Sequence, residues 1–540
     1  MTVADPAPDR TLIDASPARP WPAVRPDTVV AAACIAAAVV LRLVAVFRYQ
    51  IDSDEPQHLH VVWAWANGLL PYRDVFDNHM PLFHMLLAPL FRVVGERPDA
   101  LISMRLLMVP MYAAMIALTY RIAVRCYERS VAMWSTIVAA LFPLFLLCSV
   151  EFRTDNLWAV FWLASIAVLV TAPLTTLRVA LAGFLLGLAA AVSAKTVLLL
   201  LSVAVGAAVV AIVFGWRNSV RFSAVFLAAC AIPPAAIALY FAARGAWHPF
   251  AYGVITHNMV QHVRSIRLIL FPALLIWIGL LARRVADSPH KLFLFVTTHF
   301  YGAALYCIWP LVEHEHWLPY FPLAAITVLP MFFTVRRAVA IAVVEIALVI
   351  GVGHLNRDDT VEGLRVIAQT LELTTPAETV MDLKGETAFR QRAFFYVIEP
   401  MTKARMHRGQ IADTIVDDVL RTHTMVVALD HHNFPRRARK FFARNFVSLG
   451  GVRVPGRILP AGVTTFRLDV PAEYAVVSRT GSVSVQLDGV LYDGPRFLAP
   501  GTHTISPSDG SLAILWSRAA DRGFMPFDSA RQCNPGCRRP

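Results

Sequence analysis

Charge is what this chain is short of. Only 16% of its 540 residues are Asp, Glu, Lys or Arg, while 57% are hydrophobic and the mean hydropathy is +0.56. Such a composition excludes intrinsic disorder and an ordinary cytosolic enzyme. Cysteine is sparse too, seven in all, with no pair of CxxC motifs of the kind that holds zinc. Cys34, Cys126, Cys148, Cys230 and Cys307 lie in or beside apolar stretches and read as inert small hydrophobes. Cys533 and Cys537 stand apart near the C-terminus, where a disulfide is open to them if that end is exported. There is no P-loop, no GxGxxG and no internal repeat. No A-x-A cleavage site follows the first apolar stretch, which therefore reads as an uncleaved anchor.

Long apolar runs are what the chain has instead. A spanning helix needs about 20 largely apolar residues, and eleven stretches qualify: 28–47, 101–120, 131–150, 156–173, 177–194, 196–214, 222–242, 268–282, 292–311, 317–334 and 338–354. Only Lys195 separates the fifth from the sixth. One helix through both would be roughly 57 Å long at about 1.5 Å per residue, nearly twice the hydrocarbon thickness, so a hairpin is expected. Residues 81–94 are apolar but too short to span and predict an interfacial helix. The expected fold is a polytopic α-helical membrane protein of about eleven transmembrane helices. Residues 1–27, rich in Pro, Ala and Asp, read as a disordered cytoplasmic leader.

The net charge of +12 invites a nucleic-acid reading, but the Arg residues gather in short loops between spans. Positive-inside topology accounts for them, and no nucleic-acid partner is expected. With the N-terminus inside, the short inner segments hold fourteen Lys and Arg against nine in the much longer outer ones. An odd number of spans then places residues 355–540 outside. Histidine, which did not set the orientation, follows it: His58, His60, His79, His84, His248, His257, His262, His314 and His316 all fall outside, against His290 inside. The tail alternates a helix-like 358–372, strands at 378–383 and 393–398, a helix at 411–421 and a strand at 424–429. That pattern predicts a soluble α/β domain. Short strands such as 474–478, 482–487 and 511–516 then predict a β-rich end.

Residues able to do chemistry sit at the outward ends of the spans. The densest group follows the first span, Ile51-Asp52-Ser53-Asp54-Glu55-Pro56-Gln57-His58-Leu59-His60. Carboxylates beside a bilayer are kept where they are hydrated, paired or functional. Asp54-Glu55, followed by Gly68-Leu69-Leu70-Pro71-Tyr72-Arg73-Asp74-Val75-Phe76-Asp77-Asn78-His79-Met80-Pro81-Leu82, resembles the first external loop (residues 48–100 here) of the GT-C glycosyltransferases. The protein O-mannosyltransferase and aminoarabinose transferase branch is the nearest in pattern. Arg153-Thr154-Asp155 is similar to the family's acidic position after the third span. Gly183 through Lys195 resembles its fifth-span pattern, and His316-Trp317-Leu318-Pro319-Tyr320-Phe321-Pro322 its R-Y-x-L-P-x-x-P. The resemblance covers residues 28–354 and hardly reaches the tail. His79 stands where relatives carry Lys, and His316 near the family's Arg, so each exchanges a permanent cation for one that depends on pH.

The resemblance implies transfer of a sugar from a polyprenyl-phosphate donor to an extracytoplasmic glycan, lipid or protein, by a multi-pass protein of the cell membrane among membrane lipids. It assigns Asp54 the proton from the acceptor hydroxyl; the plain alternative is a cap on the helix that begins near Pro56. Glu55 would orient the acceptor or hydrogen-bond a loop. Asp155 would hold acceptor or donor sugar, or else serve the dipole of the helix it begins. For the donor phosphate the candidates are His79, Lys195, His257, His262, Arg264, Arg267 and His316, with snorkelling the alternative for Lys195. No cofactor is required on this reading. Glu313-His314-Glu315-His316 lacks HExxH spacing, so no metal ligands are assigned, although the His-rich face leaves a divalent ion open. The competing classes are a transporter or flippase of lipid-linked saccharides, with charges lining a midplane path, and a non-catalytic envelope-assembly subunit.

Overall fold

Away from water the backbone must satisfy its own polar groups, and each of the eleven apolar stretches accordingly contains a helix. The computed structural model describes residues 26–215, 219–259, 265–285, 287–428, 433–479, 481, 483–508 and 510–527. The leader before Pro26, His262, Arg264, Cys533 and Cys537 lie outside the described residues.

The chain opens with α1 (Pro26–Arg48), then two short helices, α2 (Asp54–Ala66) and α3 (Leu82–Val94). The second of these fulfils the expectation of a short helix over 81–94. α4 (Ala100–Leu106) runs into α5 (Met108–Cys126). The stretch 131–150, read as one span, is broken into α6 (Arg129–Leu141) and α7 (Pro143–Cys148). Pro143 is the cause: it donates no hydrogen bond and is well placed only in a first turn. α8 (Thr154–Val170), α9 (Thr176–Val192), α10 (Thr196–Phe214) and α11 (Ser219–Ala243) follow. The break between α9 and α10 falls at Ser193–Lys195, as the length argument required. Then come α12 (Trp247–Ala251) with a π-helical turn at Tyr252–Thr256, α13 (Ser265–Ala282), α14 (Pro289–Cys307), α15 (Phe321–Val328) and α16 (Val335–Val352). Four described helices, Asp27–Arg48, Ala100–Cys126, Thr196–Phe214 and Val220–Ala243, are long and apolar enough to cross a membrane by length and composition alone.

After α16 the chain forms α17 (Val361–Leu373), α18 (Pro400–His407), α19 (Ile415–Arg421) and α20 (Arg436–Asn445) around a seven-stranded sheet. The strands are β1 (Val380–Met381), β2 (Val426–Ala428), β3 (Phe446–Ser448), β4 (Val452–Leu459), β5 (Thr465–Leu468), β6 (Ala472–Ser478), β7 (Gln486–Leu487), β8 (Val490–Leu491), β9 (Arg496–Leu498), β10 (Gly501–Thr504) and β11 (Leu512–Trp516). The sheet runs β1-β2-β4-β11-β6-β9, with β3 also on β4. Only β1 and β2 are parallel; β4 takes β2 and β3 along its first half and β11 along its second. The expected strand at 393–398 does not form. Its backbone makes isolated bonds, Ala393 N–H to the Val380 carbonyl and Ile398 N–H to the Leu383 carbonyl, while Phe394 and Ile398 pack under the sheet and Tyr396 against Phe76.

This part is packed on the helical bundle. Ile367, Ala388 and Phe389 belong to the same apolar core as the α5, α8 and α9 side chains. Within the bundle, α9 and α11 touch through glycine. A Cβ on Gly183 would overlap the Phe226 carbonyl oxygen, and one on Gly187 the Cys230 carbonyl. Small residues at such spacing let helix backbones approach closely where lipid gives no hydrophobic push. Gly183→Val should therefore force α9 off α11 and destabilise the protein by about 1–3 kcal/mol. A lower midpoint of thermal unfolding in detergent checks this, and an unchanged midpoint contradicts it.

Candidate active site

Three turns of the bundle meet at one guanidinium, and a fourth joins them through Lys195. Arg153 is held extended ahead of α8 (φ −137°). Its Nη2 donates to Asp54 Oδ2 at 2.8 Å and Glu315 Oε1 at 2.6 Å, and its Nη1 to Asp52 Oδ1 at 2.8 Å and Glu151 Oε2 at 3.4 Å. Asp155 Oδ2 lies 3.7 Å from its Nε. The α1–α2 turn, the α7–α8 turn and the segment before α15 are thus tied together, and Lys195 brings in the α9–α10 break by its 2.6 Å bond to Asp155 Oδ1. Five carboxylates cannot all ionise around so few cations. Burial raises Glu151 well above its ordinary value, with Asp52, Glu55 and Glu315 adding to this against the pull of Arg153. Burial raises Glu315 likewise.

Asp54 behaves oppositely. Burial alone would raise it, but Arg153 and Lys384, then the hydrogen bond from Lys384 and the nearby His79, hold it well below the usual carboxylate range. Its carboxylate caps nothing: the N-cap of α2 is Ser53, which makes no side-chain cap bond. The side chain remains 23% exposed, at the rim of the cluster. Its neighbour Glu55 is sealed in. The Glu55 carboxylate receives Arg105 Nη2, Arg105 Nε (2.7 Å), and the backbone N–H groups of Phe152 (2.8 Å) and Asp52 (3.0 Å). The pair is fully buried, so Glu55 joins α2 to α4 and the α7–α8 turn and offers no oxygen to a substrate. The two adjacent acids read together in the sequence are thereby parted.

A second network stands beside the first. Asp77 is buried and accepts from His79 Nδ1 (3.0 Å), while its Oδ2 lies 3.5 Å from His84 Nδ1. His84 Nε2 shares a 3.0 Å hydrogen bond with His58 Nδ1. Burial lowers His84 to about 4 and His58 well below its usual value. For His79, burial is outweighed by the hydrogen bond to Asp77 and the charges of Asp77, Asp54 and Glu399, which raise it. Of the three rings, His79 is the one whose charged form its surroundings favour.

The remaining candidates are dispersed. His257 is buried and donates to Glu399 Oε1 at 3.0 Å. Glu399 also accepts from Asn78 at 2.9 Å. His316 closes a capping box with Glu313 and is lowered well below its usual value, first by burial and then by Lys195, so it supplies no cation. Arg267 donates to the Trp309 carbonyl and stacks over Tyr306. Lys195 stacks over Trp158 besides binding Asp155. Among the described residues no group of three His, Cys, Asp or Glu side chains is arranged to hold a metal ion.

Arg153, Glu315, Asp77 and Lys384 are central here and were not singled out as site residues by the sequence. Three of them lie inside quoted motifs, two residues from Asp155, one from His316 and two from His79. Lys384 has no such neighbour: it reaches Asp54 Oδ1 at 2.6 Å from 330 positions away.

Glu55→Gln should strand Arg105 as a buried, half-paired cation and cost about 3–5 kcal/mol. The unfolding midpoint checks this, and no loss contradicts it. The His79 pair sets a pH dependence. Its folded pKa is raised, so its contribution to stability is full below the unfolded value of about 6.5 and is lost as pH climbs through the folded value. The difference in unfolding midpoint between wild type and His79→Gln should be greatest in acid and shrink toward alkaline pH. A difference that grows with pH contradicts the pairing.

No protein-family profile and no curated protein matches the chain, but solved structures do. The chain is similar to ArnT from Cupriavidus metallidurans in the apo state, with a TM-score of 0.58 at 13% identity over 78% of this chain and 96% of that one. It is similar to ArnT from the same organism bound to undecaprenyl phosphate, with a TM-score of 0.54 at 12% identity over 74% and 93%. Seventy-eight per cent is more than residues 28–354 can supply, so the likeness continues into the C-terminal part, further than the sequence motifs reach. At these identities the likeness is one of fold, and the fold of this chain is that of the ArnT structures.

Proposed function

We propose that the chain is an inverting glycosyltransferase that moves a sugar from a polyprenyl-phosphate donor to an extracytoplasmic acceptor. The observation that carries this reading is Asp54. It is an ionised, partly exposed carboxylate at the rim of a buried charge cluster, at one end of a bundle of apolar helices with the fold of the ArnT structures. A structure of similar fold, ArnT, has been solved bound to undecaprenyl phosphate, and a lipid phosphate suits a site at the end of membrane helices.

The chemistry is a single displacement. The acceptor oxygen attacks the anomeric carbon, the bond from that carbon to the phosphate oxygen breaks, and polyprenyl phosphate leaves with the electron pair. The acceptor proton passes to Asp54. Charge building on the departing phosphate is met by cations already in place, and His79, whose charged form is favoured, is near enough to act on the same carboxylate. Lys195 and Asp155 would set the far wall, where sugar hydroxyls could bond. No step requires a metal or other cofactor. The acceptor need only present a hydroxyl, which glycan, lipid and protein all do.

The topology we infer is eleven spans in the cell membrane, with the N-terminus cytoplasmic and the site and residues 355–540 outside. The turns that converge on Arg153 alternate along the chain in the way that such crossings require. Charge gathered at one end, with Glu345 a lone buried acid within a span, supports a transferase over a transporter.

Asp54→Asn should reduce transfer by about 10²-fold or more while the protein keeps its fold and binds the donor at least as well. The assay is transfer of radiolabelled sugar from polyprenyl phosphate to an envelope acceptor by purified protein. Wild-type rates in the variant would remove Asp54 from the mechanism.

A further inference from the structure

Asp54 is held by two permanent cations, and they are not equivalent. Arg153 faces five carboxylates and its side chain is 7% exposed. Lys384 has Asp54 at 2.6 Å and Ser53 Oγ at 3.1 Å, and its side chain is 22% exposed. Its backbone, by contrast, is fixed. The Glu386 carboxylate accepts from the N–H groups of Leu383 (3.0 Å), Lys384 (2.9 Å) and Gly385 (3.2 Å). Asp382 accepts from the Thr387 backbone and hydroxyl. His60, on α2, donates to the Ala388 carbonyl at 2.8 Å.

Gly385 lets the turn lie flat on α2. Its φ of +120° suits glycine, and a Cβ there would stand 3.1 Å from both Gln57 Cα and His60 Cβ. The anchored turn thus presents a flexible four-carbon arm ending in a cation, beside the carboxylate that must accept a proton. A carboxylate under two cations is a weak base. Removing one makes it stronger, and only Lys384 can leave without breaking other ion pairs.

We propose that Lys384 is a binding residue for the donor phosphate, exchanging Asp54 for that phosphate when the donor arrives. The proposal rests on the reading of Asp54 as the base. The phosphate offers more acceptor oxygens than a carboxylate already shared with Arg153, so the ammonium moves across. Asp54 is then left with Arg153 alone and becomes the stronger base only once a donor is in place. The C-terminal domain in this way completes the active site, and donor binding switches on proton acceptance.

The test is binding of undecaprenyl phosphate to the purified full-length protein in nanodiscs, with inorganic phosphate as a second probe. Losing a charge-assisted bond should weaken undecaprenyl phosphate binding about ten- to a hundred-fold in Lys384→Met and Lys384→Gln, with recovery in Lys384→Arg. Asp54→Asn should tighten binding by releasing Lys384, and that gain should shrink in the Lys384→Met background. Inorganic phosphate that competes, with the same dependence on Lys384, identifies the phosphate group as the ligand; competition independent of Lys384 contradicts the assignment. Unchanged affinity in folded Lys384→Met and Lys384→Gln overturns this proposal alone. If wild type binds no undecaprenyl phosphate, the donor reading falls and this proposal with it.

Discussion

One buried guanidinium organises the site. Arg153 is reached by carboxylates from the α1–α2 turn, its own α7–α8 turn and the segment before α15, and Asp155 extends the same network to Lys195. Taking an arginine out of water is costly unless its charge and its donors are met, so these turns are constrained to converge. Burial, reinforced by the neighbouring acids, in turn raises Glu151 and Glu315 above their ordinary values. Asp54 escapes that fate because Lys384 supplies a second positive charge. Which carboxylate remains ionised is thus decided by the cluster as a whole.

The C-terminal part does more than cover the bundle. It fastens to the α2–α3 region at three places with different chemistry. Lys384 and Ala388 grip α2, Arg390 bonds Glu96, and Glu399 bonds both Asn78 and His257. Arg405 adds bonds to the carbonyls of Thr256 and His257, just where the π-helical turn ends. Phe76, in the loop between α2 and α3, is packed by Phe395 and Tyr396. These contacts bear on the same loop that holds Asp77 and His79, so the geometry of the histidine network depends on both halves of the chain.

The helices within the apolar stretches were legible because hydropathy is a local signal, and the loop around Asp54 stood out because its motif is contiguous. Where local pattern failed, a single group had overridden it. Pro143 split a span that hydropathy alone joins. α20 was invisible because Arg436-Arg437-Ala438-Arg439-Lys440 looks like a charged loop, although Ala438 and Phe442 are buried beneath it. Residues 393–398 have strand composition, but their aromatic rings found tertiary partners first. Asp155 and Lys195 were both named from the sequence, yet nothing in it revealed that they pair. Glu55 was expected to orient the acceptor or hydrogen-bond a loop; successive helix positions point in different directions, and its carboxylate meets Arg105 and the backbone N–H groups of Asp52 and Phe152. Lys384 and Glu399 had no legible mark, because their roles arise only when a distant domain folds onto the loop.

On the reading proposed above, donor phosphate, Asp54 and the Lys384 turn meet at one place. An experimental structure of the chain with a non-hydrolysable polyprenyl-phosphate sugar analogue tests it most directly. Phosphate oxygens should lie within hydrogen-bond distance of the Lys384 ammonium, with the anomeric carbon facing Asp54. The Lys384–Asp54 contact should be broken while Arg153 keeps its carboxylates. A donor bound elsewhere, or bound with the Lys384–Asp54 pair intact and the anomeric carbon remote from Asp54, would contradict it.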